Sequence, residues 1–139
     1  MGDLFEQRII DADENDGITT LADVLPGDDF DNDLSTNLDE FNTKTDPNDP
    51  DSDDDGLLDG VETNDGTFND LANDTGTDPL KADTDEDGLM DGVETNDGTF
   101  NDLATDTGTN PLDRDSDSDA IPDGFESENA LDPNTNDGS

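Results

Sequence analysis

The chain has 139 residues, of which 43 are acidic and four basic (Arg8, Lys44, Lys81 and Arg114), for a net charge of −39; only 25% are apolar, and Trp, Tyr, Cys and His are absent. So little apolar surface cannot offset the entropy of ordering a backbone or build the dry, concave pocket of an enzyme, so no catalytic residue is assigned. Nucleic acid and anionic membranes are repelled, membrane insertion is excluded because no apolar run reaches spanning length, and without thiolate or imidazole only hard, oxygen-seeking cations remain as ligands.

Residues 1–28 read as a leader or a degenerate first repeat. Met1-Gly2-Asp3 does not open a secretion signal, and Glu6 stands where a myristoylation signal needs Ser or Thr. Asp11, Asp13, Asn15 and Asp16 are candidate oxygen ligands in two competing registers. With Gly17 as the turn glycine, Ala12 takes the first ligand position; with Asp11 first, Asp16 displaces the glycine.

Four acidic loops follow, at 29–40, 51–62, 83–94 and 115–126. The 83–94 loop, DTDEDGLMDGVE, fits the spacing of an EF-hand calcium loop. Asp83, Asp85 and Asp87 alternate toward one centre, Gly88 permits the sharp turn, and Leu89 offers its carbonyl; Asp91 and the closing Glu94 complete the oxygen set. The 51–62 loop repeats every feature with Asp51, Asp53, Asp55, the Leu57 carbonyl, Asp59 and Glu62. The 115–126 loop offers Asp115, Asp117, Asp119, the Ile121 carbonyl, Asp123 and Glu126, with Ala120 in place of the turn glycine. The 29–40 loop offers Asp29, Asp31, Asp33, the Ser35 carbonyl, Asn37 and Glu40, with Leu34 at the glycine position. At least four calcium ions are therefore expected.

Spacing sets the repeat units. The run VETNDGTFNDLA begins at Val61 and again, unchanged, at Val93. Asp46-Pro47, Asp78-Pro79, Asn110-Pro111 and Asp132-Pro133 each precede a loop start by five residues, so a further loop is expected at Asp137, with the array continuing past Ser139. The units are 29–50 with a short linker, 51–82 and 83–114 with long linkers containing the TNDGTFNDLA insert, and 115–139 with a short linker. Each five-carboxylate loop keeps a net negative charge with one divalent ion, so a second ion is expected nearby. Its candidate ligands are Asp46, Asp78 and Asp132, with Asp65, Asp70, Asp74, Asp97, Asp102 and Asp106 of the inserts; turn formation without metal is the competing role.

The expected fold is irregular: an elongated, calcium-stabilised repeat array of EF-hand-like loops, with short helical turns near the closing Glu residues and no conventional hydrophobic core. Val61, Val93, Phe125, Leu58, Met90, Phe68, Phe100, Leu80 and Leu112 are expected to form small local clusters between loops.

The runs TDPNDPDSDDDGLLDGVE, TGTDPLKADTDEDGLMDGVE and TGTNPLDRDSDSDAIPDGFE resemble bacterial thrombospondin type 3 repeats. The resemblance implies calcium ligation by Asp51, Asp53, Asp55, Asp83, Asp85, Asp87, Asp115, Asp117 and Asp119. It also implies a non-enzymatic stalk or spacer between neighbouring domains of a longer secreted or cell-surface, adhesin-like bacterial protein. Animal members carry disulfides; this chain has no Cys, so stiffness must come from the ions. A calcium-dependent surface filament built by self-association is the alternative. Dockerin-like modules need a helix after each loop, which Thr-Asn-Asp-Gly-Thr after Glu62 and Glu94 breaks.

Overall fold

The computed structural model describes residues 2–12 and 18–136. Asp13, Asn15, Asp16 and Asp137 lie outside the described residues. The described chain is mostly irregular, with helices α1 (Asp3–Ala12), α2 (Asn37–Thr43) and α3 (Asp123–Glu128), two 3₁₀ turns at Asp59–Val61 and Asp91–Val93, and no strand. Short helical turns thus do lead into or contain the closing acids Glu40, Glu62, Glu94 and Glu126.

Every acidic loop closes the same way. The N–H of the ninth residue donates to the carbonyl just before the first: Asn37 to Asp28, Asp59 to Pro50, Asp91 to Ala82 and Asp123 to Arg114, at 2.7–3.1 Å. Within the ring, the first Asp collects amides from the far side of the curl; Asp51 accepts from Asp55 and Gly56, and Asp83 from Asp87 and Gly88. Two residues per loop take left-handed conformations. At the fourth position these are Asn32, Asp54, Glu86 and Ser118, with φ of 63–65°; at the sixth they are Leu34, Gly56, Gly88 and Ala120. Leu34 (φ 81°) and Ala120 (φ 78°) adopt the turn that glycine provides elsewhere. The missing glycines therefore leave the loop path intact, at a cost of roughly 1 kcal/mol each.

Consecutive loops pack directly on one another. The accessible surface, 7292 Å² for 14.8 kDa, is close to the ~7,000 Å² of a compact monomer of that mass. Yet the fully buried side chains are mostly polar: Glu40, Glu94, Glu126, Asp33, Asp91, Asp123 and four threonines, with Ile9 the apolar exception among those below 2% exposure.

The expected apolar clusters form only in part. Leu57, Val61 and Leu89 are buried, whereas Leu58, Leu80, Met90 and Phe125 are exposed. The reason is local. Leu58 and Met90 are extended (ψ 141° and 142°), so each points away from the buried leucine before it.

Each insert is a narrow excursion whose two limbs pair: Asn64 to Thr77, Gly66 to Gly76, and Asp70 with Asp74; the second copy repeats this at Asn96, Gly98 and Asp102. The Thr75 and Thr107 amides then donate to the Val61 and Val93 carbonyls, both at 2.9 Å, returning the chain to the loop it left. The 1–28 segment differs. Helix α1 rests on α2 through an edge-to-face Phe5–Phe41 contact at 5.5 Å, with Lys44 over the Phe41 ring and Arg8 paired with Asp46.

Candidate metal centres

Three carboxylates converge in each of the first three loops. One oxygen of each of Asp29, Asp31 and Asp33 lies within 4.8 Å of the others, and the same holds for Asp51, Asp53 and Asp55 and for Asp83, Asp85 and Asp87. Calcium holds its oxygens at about 2.3–2.6 Å; ligand oxygens around one ion therefore lie within about 5 Å of each other, which these sets satisfy. The fifth residue is fixed by a bond to the seventh: the Ser35, Leu57, Leu89 and Ile121 amides donate to Asp33, Asp55, Asp87 and Asp119 at 2.6–2.9 Å.

The orphaned oxygens are the sharper observation. Asp33 Oδ2, Asp85 Oδ2, Asp117 Oδ2, Glu62 Oε2 and Glu94 Oε2 are buried without a protein donor. Leaving such acceptors unsatisfied costs about 1–3 kcal/mol each, more when charged. A hard cation satisfies several at once, so the residues present fit calcium.

Electrostatics agree. Burial, with neighbouring carboxylates adding to it, pushes Glu62 and Glu94 up to about 9 and Glu40 up to about 8. Burial likewise raises Asp33 and Asp85 to about 7, and Asp31, Asp53, Asp55, Asp91 and Asp123 to about 6. These groups resist ionisation together unless positive charge enters among them.

The acids of the inserts and of the Asx-Pro pairs are engaged by protein donors instead. Asp74 is held below its usual range by the Thr63 hydroxyl and the Asn69 amide, and Asp106 by Thr95 and Asn101. Asp65 and Asp97 accept from the amides two residues on, and Asp70 and Asp102 do the same. Asp46, Asp78 and Asp132 likewise accept from the amides of Asn48, Leu80 and Asn134. The Asx-Pro and insert acids thus engage in turn formation. Asp11, near the end of α1, accepts from Gln7 at 2.8 Å.

The ninth residue, expected to serve its own loop as a ligand, bonds to that loop's residues at Asp59, Asp91 and Asp123. Asp91 Oδ1 accepts the Thr84 amide, and Asp59 takes the Ser52 amide and hydroxyl. Asp91 also converges with Asp55 and Glu62 of the preceding loop, and Asp123 with Asp87 and Glu94; all six residues are buried. Asn37 behaves differently, donating its side-chain amide to the Leu25 carbonyl.

Two supporting elements were not read from the sequence. Thr77 donates its hydroxyl to Glu62 Oε1 at 3.0 Å, and Thr109 to Glu94 Oε1 at 2.9 Å. Thr75 and Thr107 stand behind them at 2.6 and 2.7 Å. The long linkers thus bring back a Thr-Gly-Thr segment that orients the closing acid. Its signal was the Thr-x-Thr before three of the four Asx-Pro pairs, at 43–45, 75–77 and 107–109. The second element is the glycine after the ninth residue. A Cβ on Gly60, Gly92 or Gly124 would run into the carbonyl of Asp33, Asp55 or Asp87 of the preceding loop. Loop stacking therefore requires glycine there.

Comparison of the chain with protein-family models, with curated proteins and with solved structures finds no match.

Proposed function

We propose that this chain is a calcium-ordered spacer, a non-enzymatic run of stacked EF-hand-like loops that sets the separation of neighbouring domains in a secreted or cell-surface protein. The observation that carries the reading is the recurrence, in register, of half-buried carboxylate trios beside closing acids, Glu62 and Glu94, whose Oε2 atoms no protein donor satisfies. The residues would hold calcium through Asp29, Asp31 and Asp33; Asp51, Asp53, Asp55 and Glu62; Asp83, Asp85, Asp87 and Glu94; and Asp115, Asp117, Asp119 and Glu126. The ion supplies the positive charge that the chain's four basic residues cannot.

An extracellular setting suits calcium sites that need not compete at submicromolar levels, since extracellular modules work at roughly 10⁻⁴–10⁻³ M. Among the described residues no helix is long and apolar enough to cross a membrane. The resemblance to bacterial thrombospondin type 3 repeats supports the same reading, and the likeness to stalk segments of adhesins comes with it.

Native mass spectrometry across a calcium titration tests the proposal. Four or more calcium ions should load, with far weaker uptake of magnesium, whose stricter octahedral geometry these crowded carboxylates do not suit. Failure to take up calcium at millimolar concentration would contradict it.

A further inference from the structure

We infer that Asp91 and Asp123 are cation ligands for the loop that precedes their own, so that each cation site is completed only when the next loop docks on it. The inference rests on the calcium reading above and adds a ligand and a direction to it.

Three observations converge at the first of these junctions. One oxygen each of Asp55, Glu62 and Asp91 lies within 4.8 Å of the other two, the span a single divalent cation bridges. All three are more than nine-tenths buried, Asp91 completely. Glu62 Oε2 has no protein donor, its other oxygen being held by the Thr77 hydroxyl, and Asp91 is held in place by Thr84. Glu62 is thus anchored by one oxygen and presents the other toward Asp55 and Asp91.

Backbone contacts lock the geometry. Gly92 N–H donates to Asp55 Oδ2 at 3.1 Å, and Gly92 fits against the Asp55 carbonyl only because it lacks a side chain. The second junction brings Asp87, Glu94 and Asp123 together in the same way, with both Asp123 oxygens also accepting from the Ser116 amide. There Gly124 N–H donates to Asp87 Oδ2 at 2.9 Å, and Glu94 Oε2 is the buried oxygen without a donor. At the 29–40 loop, Gly60 packs against the Asp33 carbonyl in the same way.

The sequence carries the matching rule. An Asp-Gly pair occupies the ninth and tenth positions at 59–60, 91–92 and 123–124, in loops that follow another loop. Asn37-Leu38 stands there in the 29–40 loop and packs instead on the 25–28 segment, through bonds to the Leu25, Pro26 and Asp28 carbonyls. Ligand donation therefore runs in one direction along the chain, although the coupling of affinities between neighbours is mutual. The site of each loop depends on the loop after it.

The test is calcium titration of the full-length chain by amide NMR, following Gly56 and Leu57 in one loop and Gly88 and Leu89 in the next. Asp91→Asn keeps the acceptor for Thr84 but removes the charge. Its calcium midpoint at Gly56 and Leu57 should rise tenfold or more, with less than a threefold change at Gly88 and Leu89. Asp123→Asn should move the effect one loop along, to Gly88 and Leu89. A rise confined to the substituted residue's own loop, or equal in both loops, would overturn the inference while leaving calcium binding intact. Wild-type amides that ignore calcium would instead sink the functional reading on which it rests.

Discussion

Gly92 donates its amide to the Asp55 carboxylate across 37 residues of sequence, and Gly124 does the same for Asp87 across another 37. This bond joins one acidic loop to the next, and the glycine makes it sterically possible.

Gly92→Ala should therefore disrupt stacking without touching a ligand side chain. The new methyl meets the Asp55 carbonyl, a backbone group with little room to retreat. The expected loss is about 1–3 kcal/mol of calcium-saturated stability, the usual cost of overpacking, read by chemical denaturation. Gly27→Ala, with nothing within 4 Å of the added methyl, is the control.

Thr77→Val removes the hydroxyl that holds Glu62 Oε1 while keeping the side-chain shape. Loss of such an orienting partner typically weakens metal affinity about 10–100-fold. Calorimetric titration should show one weakened site and the others unchanged. Asp74→Asn, in a solvent-facing turn of the insert, should leave the calcium stoichiometry as it was.

Leu34 and Ala120 hold left-handed backbone that favours glycine. Leu34→Gly and Ala120→Gly should each raise calcium-saturated stability by roughly 1 kcal/mol, seen as a higher unfolding temperature.

The pH dependence has opposite signs with and without the ion. Burial raises Glu62 and Glu94 to about 9 and Glu40 to about 8, far above an unfolded Glu. A carboxyl with a raised folded pKa favours the fold while protonated, and that contribution is lost as pH climbs through the folded value. In chelator, order should increase as pH falls from 9.5 toward 5. Calcium competes with those protons, so its binding should weaken over the same descent and release protons near neutral pH. Circular dichroism in chelator and calorimetry in buffers of different ionisation enthalpy read the two effects.

Much of the candidate site was legible because its ligands are close in sequence. Asp51, Asp53 and Asp55 come together by local curling, and Glu62 needs only one more turn. Local spacing places Asp91 in its own loop, and its approach to Asp55 and Glu62 of the loop before is a product of stacking that spacing does not show. The clue was the Asp-Gly pair at 59–60, 91–92 and 123–124 against Asn37-Leu38 at the head of the series. Leu57 was read only for its carbonyl, yet its side chain is buried, while Leu58 and Phe125 face solvent. A pattern of sparse apolar residues does not tell which of two neighbours points inward when loop backbone, and not a regular element, sets the direction. Thr77 was missed because the insert separates it from Glu62, although its hydroxyl is within hydrogen-bond reach.

The central claim is that cations do the ordering which apolar burial does elsewhere, and amide hydrogen exchange in calcium and in excess chelator tests it most directly. The amides of Gly56, Leu57, Gly88 and Leu89 should be strongly protected with calcium at pH 7.5 and exchange near the rate of an unfolded chain without it. Equal protection in chelator would contradict the account.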